Sequence, residues 1–224
     1  MSDHLSASIE DYLKTIYVLT LEQARASTNE IAGQMGVAPA SATGMIQRLA
    51  VMKPPLVDYQ KHRGVSLTSE GEQTALKVIR HHRLLEAFLH KKLGYGWDEV
   101  HTEADQLEHV ISEGLEERIS QALGDPSFDP HGDPIPTREF QLPARSKLRM
   151  SELRPGDHAT IQRISDADPD LLRYLDSIGL TLNSMVTVLE ASPFDGNLSL
   201  QISGQRTAIV LGVRVTSQIF VKRE

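Results

Sequence analysis

The sequence has no cysteine, only 5% aromatic residues with a single tryptophan, and no apolar run near the roughly 20 residues that cross a membrane. The missing thiols exclude disulfides, iron–sulfur clusters and thiolate zinc sites. Also missing are a charged–apolar–small leader pattern, an HExxH pair, a glycine-rich phosphate loop and a GxSxG elbow. These absences predict a soluble, cytoplasmic protein that is not an enzyme. What is present is ordinary for a folded chain: 40% hydrophobic and 24% charged residues over 224 positions, with no repeat and no low-complexity tract.

The net charge of −7 argues against a nucleic-acid partner only until its distribution is read. Residues 98–136 carry 11 acidic side chains and one basic one, whereas residues 1–97 carry 9 acidic and 11 basic. The N-terminal part is therefore free to approach phosphates.

Ile9, Leu13, Ile16 and Tyr17 recur at helical spacing and predict an amphipathic helix from Ser6 to about Glu22. Ser27-Thr28-Asn29-Glu30 reads as a capping box that opens a short helix, Thr28 to Met35, closed by Gly36. Pro39 lies in the first turn of a third helix, which runs to about Met52 with Ala42, Met45, Ile46 and Leu49 inward. From Leu56 to Thr68, two alternating runs flank the basic tip Lys61-His62-Arg63-Gly64, a hairpin signal. Together these elements spell a winged helix-turn-helix; the alternative is an all-helical bundle with an irregular loop. A long helix is expected from Thr68 to about Leu93 and another from about Asp98 to Leu123. The five prolines between Pro126 and Pro143 mark a tether. Beyond Lys147, short β runs separated by turn signals, and one helix from Pro169 to about Ile178, predict a small SH3-type barrel.

The strongest chemical constellation is His101, Asp105, Glu108 and His109 within one predicted helix, the last three on a single face. The preceding helix offers His82 and Glu86 at i, i+4, and the first helix offers Asp11. Carboxylates and imidazoles gathered in this way are costly to bury unpaired, and a divalent cation would satisfy them. The competing reading is two solvated, charged helix faces. His4, His90, His131 and His158 are assigned no role.

Ser8-Ile9-Glu10-Asp11-Tyr12-Leu13, Arg80-His81-His82-Arg83-Leu84-Leu85-Glu86 and the run from His101 to His109 resemble the diphtheria-toxin-repressor family of iron- and manganese-dependent transcriptional repressors. Asp129-Pro130-His131-Gly132-Asp133-Pro134 and Leu153-Arg154-Pro155-Gly156-Asp157 extend the resemblance over essentially the whole chain. It implies a mainly α fold with a small β domain: a winged helix-turn-helix domain at 1–72, a helical dimerisation and metal-binding domain at 73–143, and an SH3-like β barrel at 144–224. Asp11, Asp105, Glu108 and His109 match the family's primary metal site, where iron-type members carry methionine and cysteine at the first two positions. His82, Glu86 and His101 match the ancillary site, to which the SH3-like domain adds ligands in iron-type members; Asp168 and Asp170, with Asp166 beside them, are the nearest residues here. Lys14 departs from short manganese regulators, which place a second carboxylate there, and this favours two separated sites over a close pair. A donor set without sulfur suits Mn(II), with Fe(II) the alternative; Zn(II) would bind without being the signal.

The second helix of a winged helix-turn-helix enters the major groove. Here it presents Pro39, Ala40, Ser41, Thr43, Gln47 and Arg48, a sparse set for base readout. Phosphate contacts are expected from Thr28, Ser41, Arg48 and the wing residues Tyr59, Lys61, His62 and Arg63. The expected partners are double-stranded operator DNA, a second copy of the chain and a divalent metal ion. Two rival readings are a winged-helix regulator with an organic effector and a metal-dependent hydrolase.

Overall fold

Helix α1 (Ala7–Thr20) buries Ile9, Tyr12, Leu13 and Ile16, three and four apart, on the one stripe that helical periodicity allows. A computed structural model describes residues 5–224, so His4 lies outside the described residues. The chain forms two compact units, each assembled from separate stretches of sequence.

The first unit comprises residues up to 82, with 107–112 and 136–141. Helix α2 (Thr28–Gln34) opens on the expected capping box: Glu30 N–H donates to Ser27 Oγ at 3.1 Å, and Ser27 N–H to Glu30 Oε2 at 2.7 Å. Helix α3 (Pro39–Ala50) starts with its proline in the first turn and turns Ala42, Ile46 and Leu49 inward. The hairpin of β1 (Val57–Gln60) and β2 (Gly64–Leu67) is antiparallel, with Tyr59 opposite Val65. Gly64 has φ 97°, and a Cβ there would lie 2.5 Å from the carbonyl oxygen of Ala26. Only glycine lets the wing close onto the strand-like pairing of Ala26 with Val65.

Helix α4 (Ser69–Phe88) continues as a single π-helical turn, residues 89–93, and stops at Gly94 in the left-handed conformation. The predicted helix over 98–123 is two helices, α5 (Val100–Leu107) and α6 (Glu113–Leu123). Between them the Val110 N–H reaches back to the Leu107 carbonyl, a tight turn that carries Glu108 and His109. Both side chains make contacts with residues distant in sequence, a tertiary gain that outweighs continued helical periodicity.

The second unit comprises 83–106, 113–135 and 142–224. Its sheet is antiparallel in the order β6 (Ile209–Leu211), β5 (Leu198–Ile202), β4 (Met185–Ala191), β3 (His158–Ile164), β7 (Ile219–Arg223). Register shifts in β3 and β4 bend the strands as small barrels require. Helix α7 (Pro169–Ser177) and the short α8 (Val213–Thr216) flank it. Met150, Leu153, Ile161, Ile164, Leu172 and Leu175 fill the core.

The proline-rich stretch expected as a tether is an ordered turn over 126–135. Asp129 Oδ1 accepts from the N–H of His131 at 2.8 Å and of Asp133 at 2.9 Å, and Ile135 is buried. Gly132 has φ 87°, and a Cβ would fall 2.0 Å from the Gln162 carbonyl oxygen, so this turn packs backbone to backbone against β3. Among the described residues no helix is long and apolar enough to cross a membrane.

Candidate metal centre

In the first unit, α1 supplies Asp11 and the turn after α5 supplies Glu108 and His109, with one ligand atom from each within 4.8 Å of the others. His109 Nε2 lies 2.8 Å from Asp11 Oδ1 and 3.4 Å from Glu108 Oε1. Its other ring nitrogen, Nδ1, sits 2.6 Å from Glu10 Oε2, so Glu10 fixes the ring and leaves Nε2 facing the carboxylates. Burial alone would lower the pKa of His109, but Glu10, Glu108 and Asp11 together hold it above the usual histidine range.

Glu108 is 1% exposed. Burial pushes its carboxyl upward; the hydrogen bond from His82 Nδ1 at 2.6 Å and the Lys14 ammonium outweigh burial and hold it below the ordinary glutamate range. Lys14 Nζ donates to both carboxylate oxygens, at 3.0 and 2.8 Å. His81, also buried, places Nδ1 2.9 Å from the Glu108 carbonyl oxygen. The centre is thus braced from α4 and α1 alike.

The second unit holds another gathering. His101 Nδ1 lies 3.3 Å from Glu86 Oε1 and 3.2 Å from Asp166 Oδ2. Glu86, Asp129 and His131, all buried, also bring ligand atoms within 4.8 Å of one another. His131 is fully buried, stacked beside Trp97 with ring centroids 6.1 Å apart, and its Nε2 sits 2.6 Å from the Trp97 carbonyl oxygen. That contact requires Nε2 to carry the proton, which leaves Nδ1 as a bare lone pair with no hydrogen-bond partner, 3.9 Å from Glu86 Oε1. A lone pair and a carboxylate aimed at one buried point fit a cation. Burial and the neighbouring Glu86 and Asp133 raise the Asp129 carboxyl well above its usual range, as expected for acids crowded without a counter-ion. Both gatherings offer only oxygen and imidazole nitrogen donors, a set that fits Mn(II) or Fe(II).

The first unit also carries an exposed basic face. Pro39, Ala40, Ser41, Gln47 and Arg48 of α3 are exposed, whereas Thr43 is half-buried and donates to the Pro39 carbonyl at 2.8 Å. Thr28 lines an open cleft with Tyr59, Lys61, His62 and Arg63 of the wing. Arg25 braces that wing, donating to Asp58 Oδ2 at 2.9 Å and to the Gly64 carbonyl at 3.3 Å.

Residues 4–65 match the family described as iron dependent repressor, N-terminal DNA binding domain, and residues 68–137 its metal binding and dimerisation domain. Residues 148–223 match the FeoA domain. The chain is 33% identical over 208 residues to the iron-dependent repressor IdeR of Mycobacterium leprae (strain TN), an alignment covering 87% of this chain and 88% of that one. The chain belongs to the diphtheria-toxin-repressor family. It is 35% identical over 116 residues to the HTH-type transcriptional regulator MntR of Bacillus subtilis (strain 168), 52% of this chain and 80% of that one. A solved manganese-dependent transcriptional repressor in complex with manganese is 42% identical, with a TM-score of 0.90 over 96% of this chain and 100% of that chain. As a diphtheria-toxin-repressor family member, the chain is a metal-dependent transcriptional repressor and not an enzyme.

Against that family frame, the expected ligands are placed unevenly. Asp11, Glu108 and His109 converge, as do Glu86 and His101. Asp105 is 48% exposed and lies 3.5 Å from His101 Nε2. His82 turns Nδ1 to Glu108. Asp168 and Asp170 are a correction: Asp168 caps α7, accepting from the N–H groups of Asp170 and Leu171, and Asp170 pairs with Arg173. An aspartate at an N-cap satisfies orphan helix donors, so its oxygen is already committed. Asp166, two residues earlier, is the carboxylate that reaches His101. Glu10, Asp129 and His131 carried no assignment in the sequence. Their signal was the Asp129-Pro130-His131-Gly132 turn, which prolines disguised as linker.

Proposed function

We propose that the chain is a Mn(II)-dependent repressor that binds operator DNA as a homodimer and controls metal-homeostasis genes. The observation that carries the metal reading is the His131 lone pair facing buried Glu86, with sulfur-free donors at both gatherings. The 42% identity to a manganese-dependent repressor supports Mn(II), and the likeness to IdeR supports Fe(II) as the second reading.

The regulatory ion is assigned to Asp11, Glu108 and His109, and the ancillary ion to Glu86, His101, Asp129, His131 and Asp166. Asp105 and His82 keep the ligand roles that the family resemblance gives them. A bound divalent cation supplies positive charge that ties carboxylates together. Asp11 stands on α1, which packs on α2 and β2, so fixing Asp11 against the turn at 107–112 fixes the DNA-reading elements. Thr28, Ser41, Arg48 and the wing residues Tyr59, Lys61, His62 and Arg63 then contact phosphates, while Pro39, Ala40, Thr43 and Gln47 face the major groove.

Fluorescence anisotropy of a duplex from the gene's own upstream region, with EDTA and then Mn(II), anaerobic Fe(II) or Zn(II), tests this directly. Binding that appears only with Mn(II) or Fe(II) supports the switch, and the order of potency separates the two metals. Binding indifferent to EDTA overturns the metal-controlled reading in favour of an organic effector.

A further inference from the structure

Lys14 lies one turn after Asp11 on α1, and its ammonium ends in a cradle of metal-ligating type. Nζ is 2.8 and 3.0 Å from the two oxygens of Glu108 and 3.2 Å from Nδ1 of His82, and both of these partners are buried. Two carboxylate oxygens and an imidazole nitrogen converging on one point are the donors that a divalent ion takes. Here the point is filled by a protein cation on a four-carbon stem.

We infer that Lys14 is a tethered cation that occupies the place of a second metal ion beside Glu108 and limits this centre to one ion. This inference rests on the metal reading above. The proton count supports it: Nδ1 of His82, 2.6 Å from Glu108 Oε2, carries a proton to make that bond. A divalent ion in the cradle would have to expel the ammonium and strip that proton as well. The side of Glu108 toward Asp11 and His109 carries no such cation, and His109 Nε2 faces it at 3.4 Å. Lys14 is thereby a positioning residue. It fixes the net charge and the ion count of the centre while the Asp11 side takes the regulatory ion.

The test uses the full chain, Mn(II) alone as the probe, equilibrium dialysis for ion count and electron paramagnetic resonance for ion proximity. Two Mn(II) ions bridged by one carboxylate couple magnetically, and isolated ions do not. Wild-type protein is expected to show isolated-ion signals at saturation. K14E, checked for folding by circular dichroism, is expected to bind one more Mn(II) per chain and to gain a coupled signal, while K14R keeps the wild-type count. A coupled pair in wild type overturns the inference, and does so without any variant. A folded K14E with an unchanged count and no coupling also overturns it. Wild type that binds no Mn(II) at all sinks the metal reading beneath it, an outcome distinct from both.

Discussion

The two gatherings of ligands differ in how they meet water. At Asp11–Glu108–His109, the Asp11 side chain is 42% exposed and every group already has a hydrogen-bonding or ionic partner. At Glu86–Asp129–His131 the three residues are buried, and His131 keeps an unpartnered nitrogen. The first centre without metal is a satisfied network in which a proton and the Lys14 ammonium balance the carboxylates. The second is left with crowded acids and a lone pair, so the desolvation cost of its polar groups is met only by an ion. The contrast assigns sensing to the exposed centre, where an ion competes with a proton, and stabilisation to the buried one.

The largest break in that comparison is E108Q. It removes the carboxylate shared by His109, His82 and Lys14, and metal-dependent DNA binding is expected to vanish in anisotropy while the helical circular dichroism persists. Next is H131A at the buried centre. A ligand at about 100 times its dissociation constant stabilises by about 2.7 kcal/mol, and in a chain of this size each kcal/mol moves Tm by about 2–4 °C. The Mn(II)-induced rise in Tm measured by calorimetry should therefore shrink by several degrees in H131A, and much less in D11N.

A smaller effect is expected of E10Q. Glu10 only orients the His109 ring, and losing such support costs about 10-fold or somewhat more in metal affinity, readable by titration calorimetry. The mildest lever is pH. The folded-state pKa of His109 is raised, so its contribution to metal-free stability is complete below the ordinary value of about 6.5 and fades as pH rises through the higher folded value. Mn(II) must displace that proton, so affinity at the exposed centre should climb across the same window above about pH 6.5. An affinity at that centre flat with pH would remove the proton competition on which the contrast rests.

Local signals in the sequence were legible where local physics decides. The Ser27–Glu30 capping box, the proline opening α3 and the alternating wing strands all form where their patterns put them. The break after Leu107 was not legible, because helical spacing continues through Asp105, Glu108 and His109; what ends the helix is the pull of distant Asp11, Lys14 and His82 on the turn. Asp11, Glu108, His109, Glu86 and His101 stood out as ligand types at helical spacing, and the structure brings them into two gatherings. Asp129 and His131 did not, since a proline-rich turn reads the same whether it is solvated or packed on β3 through Gly132. The loop before α7 offered three aspartates, and only the cap geometry of Asp168 separates Asp166 from its neighbours.

The central claim is that metal and DNA bind as one linked system through the centre on α1. Titration calorimetry of Mn(II) into the protein, alone and with its operator duplex, tests it most directly. Linkage demands that DNA tighten Mn(II) binding by the same factor by which Mn(II) tightens DNA binding. The account predicts equal factors in the wild type and none in E108Q. An Mn(II) affinity unchanged by the operator would contradict it.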